Sequence, residues 1–232
     1  MLDPVLDALR ATAFTVLGAP TSWAEVIGFG SGALVVWLVV VQHAANWPVG
    51  ILNNLMFFAL FTTSGLYADA WLQVFYLLLA LYGWWAWLRG GERHTQLRIS
   101  RTTAAQWVTL AATGVAGTAL LTWILDTGTS STVPLPDALT TVLSLLATWG
   151  QARKKVESWW LWITADVIYV PLYGYKDLWL TAILYTGFLA LCVAGLRGWT
   201  ADYRTRAAGG RSAALATGQV SGSGPSASNS PT

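Results

Sequence analysis

The sequence predicts an all-α membrane protein with seven transmembrane helices in a 3+1+3 arrangement of two parallel three-helix repeats. Three observations support this fold class. The mean hydropathy is +0.51 and only 10% of the 232 residues are charged, which is typical of membrane proteins. Seven apolar runs are separated mostly by short connections. Finally, the first three runs match the last three when the chain is shifted by 112 residues.

Each of the seven runs has the length of about 18–22 residues that a helix needs to cross a bilayer. The predicted spans are 22–41, 47–64, 68–88, 104–125, 134–151, 157–175 and 177–196. These define five regions: an amphipathic lead-in helix at 1–21, the first repeat at 22–88, a basic loop with linker helix and polar loop at 89–133, the second repeat at 134–199, and a disordered cytoplasmic tail at 200–232. The lead-in lacks the basic start of a signal peptide.

The positive charges predict the orientation in the membrane. With seven spans, 11 of the 13 Lys and Arg residues fall on one side and only Arg10 and Lys176 fall on the other. Because basic residues collect on the cytoplasmic side, we expect the N-terminus outside and the C-terminus in the cytoplasm of a multi-pass protein of the cell membrane.

The internal repeat is carried by residues that rarely match by chance. The shift aligns three tryptophan pairs, a glycine pair and one pair of polar residues in a single ungapped register. These pairs are Trp37/Trp149, Trp47/Trp159, Trp87/Trp199, Gly83/Gly195 and Asn54/Asp166. Parallel repeats of this kind place a substrate near the bilayer midplane, between the two copies. Asn54 and Asp166 are therefore expected to face one another there.

Asp166 is the most informative single residue, because it lies about 13 Å along the sixth span from Glu157. A carboxyl group near the bilayer centre is costly and usually functional. Trp162, Tyr169 and Tyr173 share its helix face. An acid flanked by aromatic rings suits a flat, cationic solute.

Other candidates follow from the repeat and from position within the spans. Of the adjacent Asn53 and Asn54, the register favours Asn54 as the residue that contacts substrate. Trp84, Trp85, Trp87, Trp123, Trp159, Trp160, Trp179 and Trp199 lie near span ends and are expected in the interfacial aromatic belt. The predicted substrate-binding residues are Asn46, Trp47, Asn54, Gln73, Tyr76, Trp162, Asp166, Tyr169 and Tyr185.

Several other functions lack the residues they need. A single cysteine, Cys192, excludes an internal disulfide and a multi-cysteine metal site. An intramembrane enzyme would need clustered His and carboxylates, and a retinal protein would need a lysine within a span. We therefore expect no enzyme, no metal, no cofactor and no nucleic-acid partner. A receptor that does not transport remains open, and uptake into proteoliposomes distinguishes it from a transporter.

Four stretches resemble the PnuC family of vitamin transporters, whose type member takes up nicotinamide riboside. They are NWPVGI at 46–51, GLYADAWLQVFYLLLALYGWWAW at 65–87, KKVESWWLW at 154–162 and LYGYKDLWLTAILY at 172–185. The resemblance implies a SWEET-like fold, a homotrimer in the lipid bilayer and facilitated diffusion of a vitamin. It also implies that a cytoplasmic kinase then traps the vitamin by phosphorylation.

One position departs from the pattern. Many family members resemble W-x3-N in the sixth span, whereas this chain has Trp162-x3-Asp166. An amide both donates and accepts hydrogen bonds, whereas an ionised carboxylate only accepts them and adds charge. Asp166 would suit the pyridinium ring of nicotinamide riboside and equally the thiazolium ring of thiamine. Riboflavin is a further alternative substrate.

Overall fold

The computed structural model describes residues 3–16, 19–63, 65–129, 132–175 and 179–222, and the chain is largely helical. A short helix and a hairpin precede seven longer helices. Their bounds are α1 Asp3–Arg10, β1 Thr12–Val16, β2 Ala19–Ser22, α2 Trp23–Val40, α3 Asn46–Thr63, α4 Tyr67–Arg89, α5 Ala104–Gly128, α6 Pro134–Ala152, α7 Ser158–Tyr175 and α8 Trp179–Gly222.

Helices α2 to α8 occupy the seven predicted spans. Three of them are long and apolar enough, by length and composition alone, to cross a membrane: Asp69–Arg89, Ala104–Gly128 and Thr181–Gly209. The segment Val26–Val40 is a shorter apolar helix. These helices fit an all-helical membrane protein, because only helices and closed barrels satisfy every backbone polar group inside lipid.

The helices contact one another in two similar sets. In the first, α3 packs between α2 and α4, and in the second, α7 packs between α6 and α8. The two sets meet where α2 contacts α8 and where α4 contacts α6. Helix α5 packs on α6 through Gly114 and Gly117 and has no buried residue, so it lies on the outside of the bundle.

A cluster of tryptophans forms the core at one end of the bundle. Trp47 lies against Gly83, where a methyl group would overlap its ring, and Trp159 lies against Gly195 in the same way. The two rings also make matching edge-on contacts: Trp47 with Trp87 at 5.5 Å and 89°, and Trp159 with Trp199 at 5.4 Å and 89°. We call these four tryptophans the tryptophan cluster.

The interface-belt prediction is wrong for Trp87, Trp159 and Trp199, which are only 2%, 0% and 0% exposed. The two glycines leave space beside the backbone for whole indole rings, so the rings fill the core. In contrast, the rings of Trp84, Trp85, Trp123, Trp160 and Trp179 are exposed, as an interfacial belt requires.

Hydrogen bonds cross between the two sets of helices in a reciprocal pattern. The indole nitrogen of Trp87 donates to the carbonyl of Gln151 at 2.9 Å, and that of Trp199 donates to the carbonyl of Val39 at 3.2 Å. The corners before α3 and α7 also match, because Gln42 and Lys154 both adopt a left-handed backbone, with φ of 58° and 47°. Donors, acceptors and corners all recur at the 112-residue offset.

Both ends of the chain differ from the prediction. The lead-in is a helix only to Arg10, and Thr12–Val16 pairs with Ala19–Ser22 as the antiparallel strands β1 and β2, because Thr and Phe at 12, 14 and 15 favour a strand. Helix α8 continues to Gly222, so the expectation of a disordered tail is wrong for residues 200–222. Alanine, the strongest helix former, is the most frequent residue of this stretch, which also contains glycine. Residues 223–232 lie outside the described part of the chain.

Candidate substrate-binding site

Asp166 lies in the middle of α7, eight residues after Ser158, and is only 2% exposed. One carboxylate oxygen accepts a hydrogen bond from the thiol of Cys192 on α8, at 3.4 Å. In the described ranges, no Lys or Arg forms an ion pair with it. A carboxylate has about four acceptor positions, so one weak thiol donor leaves most of its capacity unused.

Three tyrosine rings lie on the side of α7 and α8 that follows Asp166. Tyr169 and Tyr173 stack at 5.5 Å and 22°, and Tyr185 contacts them at 4.7 Å and 5.1 Å. Tyr185 also meets Phe188 edge-on at 5.6 Å. The rings therefore form a continuous aromatic surface one to two helical turns from the carboxylate.

Helix α6 adds two hydroxyl groups that the sequence interpretation missed. Thr140 and Ser144 are 1% and 3% exposed. Tyr169 interacts with both side chains, and Tyr76 of α4 interacts with Ser144. Both hydroxyls donate to carbonyl groups one turn back in α6, at 2.8 Å, so their oxygens remain able to accept from tyrosine. We call Thr140, Ser144, Tyr76, Tyr169 and Asp166 the polar cluster.

The structure brings four predicted site residues together at the level of the polar cluster. Asp166, Tyr169 and Tyr185 come from α7 and α8, and Tyr76 comes from α4, in the other set of helices. Gln73 is half-buried on α4, one turn before Tyr76. Trp162 is half-buried one turn before Asp166, and its indole nitrogen is buried without a hydrogen-bond acceptor. The indole nitrogens of Trp47 and Trp159 in the core are buried in the same way.

Two predicted residues lie in a different layer. Trp47 belongs to the tryptophan cluster, and the amide of the buried Asn46 donates to the carbonyl of His43 at 2.8 Å. Their contacts stabilise the corner before α3 rather than the polar cluster. The adjacent asparagines of α3 have separate roles: Asn53 donates to Ser31 of α2 at 2.6 Å, whereas Asn54 is half-buried. A substrate contact for Asn54 stays a prediction.

The residues of this layer lie inside a region shared with known transporters. The family model described as the nicotinamide mononucleotide transporter matches residues 22–201, which is more than three quarters of the chain. The chain belongs to the nicotinamide mononucleotide transporter family. The family consists of membrane transporters rather than enzymes, and the multi-helical fold of this member agrees with a multi-pass membrane protein.

Two characterised relatives of this family member differ in the vitamin their names give. The chain is 29% identical to the riboflavin/roseoflavin transporter RibM of Streptomyces davaonensis, over 84% of this chain and 92% of the relative. It is 27% identical to the nicotinamide riboside transporter PnuC of Escherichia coli K12, over 82% and 90%. The similarity therefore shows the family but does not identify the vitamin. The residues of the candidate site are needed to infer which vitamin is bound.

A solved structure shares the fold. The crystal structure of the vitamin B3 transporter PnuC superposes with a TM-score of 0.62 at 23% identity, over 79% of this chain and 83% of that one. The helical fold of the present member of the nicotinamide mononucleotide transporter family is therefore that of PnuC.

One signal could have revealed Thr140 and Ser144 from the sequence. The 112-residue shift aligns these two residues with Gly28 and Gly32. The two hydroxyl residues are one turn apart and therefore lie on the same face of α6, whereas the matching face of α2 has glycines. A face on which the two copies differ is a signal that the sequence contains.

Proposed function

We propose that this chain transports nicotinamide riboside by facilitated diffusion, with the vitamin bound in the polar cluster between two parallel three-helix repeats. The 3+1+3 arrangement would pair α2–α4 with α6–α8 and use α5 as the linker. Rocking of one repeat against the other would open the site to each side in turn.

The recurrence of contacts at the 112-residue offset supports this arrangement. The ring pairs of the tryptophan cluster, the reciprocal bonds to Gln151 and Val39, and the two left-handed corners all repeat. A repeat preserved in side-chain geometry is what two copies related by a pseudo-twofold axis would give. The observed α2–α8 and α4–α6 contacts would then lie across that axis.

The single observation that carries the choice of substrate is the carboxyl group of Asp166, which is buried and, in the described ranges, has no cationic partner. An ionised carboxylate that is buried without a cation is unstable, and a positively charged ligand would neutralise it. The pyridinium ring of nicotinamide riboside supplies that charge on a flat ring, which can also lie against Tyr169, Tyr173 and Tyr185. The unpaired indole N–H of Trp162 adds one donor for the carboxamide.

The polar cluster also supplies partners for the ribose. Its hydroxyl groups come from three helices: Tyr76 of α4, Thr140 and Ser144 of α6, and Tyr169 of α7. At the 112-residue offset the other copy has Gly28, Gly32, Phe57 and Phe188 in their places. Because these four hydroxyl groups lie on one side of the axis, a nucleoside would bind in one orientation, with its sugar toward α6.

The remaining parts of the proposal concern the membrane and the assembly. The distribution of Lys and Arg supports a cytoplasmic C-terminus. On that side of the membrane, a kinase would trap the imported riboside by phosphorylation.

A homotrimer would cover the outer face of the bundle. In support, an apolar groove of about 740 Å³ runs between α4, α5 and α6, and α5 has no buried residue.

Riboflavin is the second candidate, favoured by the similarity to RibM along 84% of the chain. Its isoalloxazine ring is neutral at physiological pH, so it would leave Asp166 uncompensated. Thiamine has a cationic ring but no ribose to use the hydroxyls of α6.

Uptake into proteoliposomes tests the proposal. Purified protein in vesicles with no ion gradient should accumulate labelled nicotinamide riboside only to the external concentration, and faster than empty vesicles. Excess unlabelled riboside should block this uptake, whereas riboflavin, thiamine and nicotinamide mononucleotide should not. Blocking by riboflavin at lower concentration than by the riboside would replace the proposed substrate, and binding without uptake would indicate a receptor.

A further inference from the structure

A second, separate site is indicated at the end of the bundle that carries the basic residues. A groove of about 620 Å³ lies between the segment before α5, the start of α7 and the middle of α8. Three arginines, Arg101, Arg197 and Arg204, line it together with the indole rings of Trp107 and Trp160. No part of the proposed vitamin site lies in this groove, and the inference does not rest on the proposed function.

The positive charge of the groove is largely uncompensated. Glu157 is the one carboxylate among its lining residues. The oxygens of Glu157 already accept from the backbone N–H and hydroxyl of Thr102, at 2.8 and 3.0 Å, and one lies 3.7 Å from Arg101. Within the described ranges, no carboxylate pairs with Arg197 or Arg204. The groove therefore has two free guanidinium groups that favour an anion.

The two unpaired arginines and the two indole rings border the same groove. Arg197 and Arg204 are seven residues apart, so they lie on one face of α8 about two turns apart. The small side chains of Thr200 and Ala201 between them leave room for a phosphate group. Trp107 and Trp160, which are 39% and 55% exposed, offer open apolar and polar surface beside it.

We propose that this groove binds one anionic phospholipid. Arg197 and Arg204 would hold the phosphodiester by charge-assisted hydrogen bonds, and Trp160 and Leu196 would contact the upper part of an acyl chain. A free phosphate would use only the arginines. The combination of guanidinium groups with exposed indoles therefore fits a lipid. The arginines would contact its charged head group, and the indole rings would contact its apolar chain.

Native mass spectrometry of the full chain in neutral detergent tests this site, with phosphatidylglycerol as the titrated probe. The Arg197→Gln/Arg204→Gln variant should bind the first lipid at least about tenfold more weakly than the unmodified chain. The matched control, Arg89→Gln/Arg93→Gln, removes the same charge from exposed residues at the same end of the bundle, outside the groove. It should bind the lipid within about twofold of the unmodified chain.

Two further measurements separate the possible outcomes. Glycerol phosphate, which has the head group without chains, should not displace the lipid, and Trp160→Ala should weaken lipid binding several-fold. Equal losses in the two double variants would indicate general attraction to a basic surface and overturn the proposal. Displacement by glycerol phosphate would assign the groove to small phosphates instead. Thermal unfolding of each variant checks that the fold is retained.

Discussion

The tryptophan cluster and the polar cluster obey the internal repeat to different degrees. In the tryptophan cluster, the edge-on ring contact of one copy has a counterpart in the other with nearly the same geometry. Near Asp166 the stacking of the aromatic rings still repeats. Phe57 and Phe61 stack at 5.5 Å and 21°, and the matching Tyr169 and Tyr173 stack at 5.5 Å and 22°. However, the matching positions of the other copy lack the hydroxyl groups of Thr140, Ser144 and Tyr169 and have Gly28, Gly32 and Phe57 instead.

Under the proposed function, this difference would separate the region that forms the framework from the region that recognises the substrate. Matching contacts at both copies stabilise the arrangement of the two sets of helices without distinguishing one copy from the other. A substrate that has a charged ring and a sugar has no twofold symmetry, so its site has to break the symmetry of the protein. The polar cluster is a candidate for that site, because its residues differ from those at the matching positions of the other copy.

The largest expected effect is the loss of Asp166. The Asp166→Ala variant should bind nicotinamide riboside more than about tenfold more weakly, because a hydrogen-bonded charged group contributes about 1.5–3 kcal/mol. Asn54→Ala, at the matching position of the other copy, should reduce affinity less, since it removes no charge. Titration calorimetry of both variants measures the difference. If Asp166→Ala keeps its affinity, the carboxylate does not belong to the site.

The hydroxyl groups of α6 should have the next largest effect. Ser144→Ala should weaken binding of the riboside by about three- to tenfold, as expected for one neutral hydrogen bond, and change little for free nicotinamide, which lacks the sugar. Gly32→Ser is the matched control on the other side of the axis. A Cβ there would lie 3.6 Å from the ring of Phe188, so the variant should fold and bind normally.

Equal behaviour of Ser144→Ala and Gly32→Ser would mean that the two sides are not distinguished. The proposed orientation of the nucleoside would then be wrong, even if nicotinamide riboside is the substrate.

In the tryptophan cluster, we expect paired losses of stability. Gly83→Ala and Gly195→Ala each force a methyl group into an indole ring and should destabilise the fold by about 1–3 kcal/mol, with similar losses in the two variants. Gly187→Ala on α8 has open space and should leave the unfolding temperature unchanged or higher. Thermal unfolding in detergent measures all three. Strongly unequal losses at positions 83 and 195 would contradict the matched framework.

The spans, the repeat and the central acid could be predicted from the sequence because each is a local or periodic signal. The burial of Trp159 could not, since a tryptophan near a helix end has the same local pattern in the core and at the membrane interface. Its burial depends on Gly195, which is 36 residues away and becomes its neighbour only in the fold. Thr140 and Ser144 were missed because single hydroxyl residues are ordinary in apolar helices.

The smallest expected effect is a dependence of stability on pH at the end of the bundle. Lys154 is 6% exposed, with its ammonium group 4.4 Å from the ring centre of Trp87. Burial, together with the nearby charge of Arg206, lowers its pKa to about 8, although Asp202 opposes the shift. Because the folded state releases this proton more easily than the unfolded chain does, stability should rise with pH from about 8 toward the ordinary value of 10.5.

In Lys154→Gln, which places the residue of the matching position 42 at this corner, this part of the rise should be absent. Unfolding temperatures measured over the same pH range compare the two proteins. An identical slope in both would show that Lys154 does not titrate there.

The central claim is that a buried carboxylate recognises the positive charge of the vitamin. The most direct measurement compares the affinities of oxidised and reduced nicotinamide riboside, which have nearly the same shape but differ by one positive charge on the ring. The unmodified protein should prefer the oxidised form by at least about tenfold, and Asp166→Asn should reduce this preference to less than about threefold. The same preference in both proteins would contradict the account.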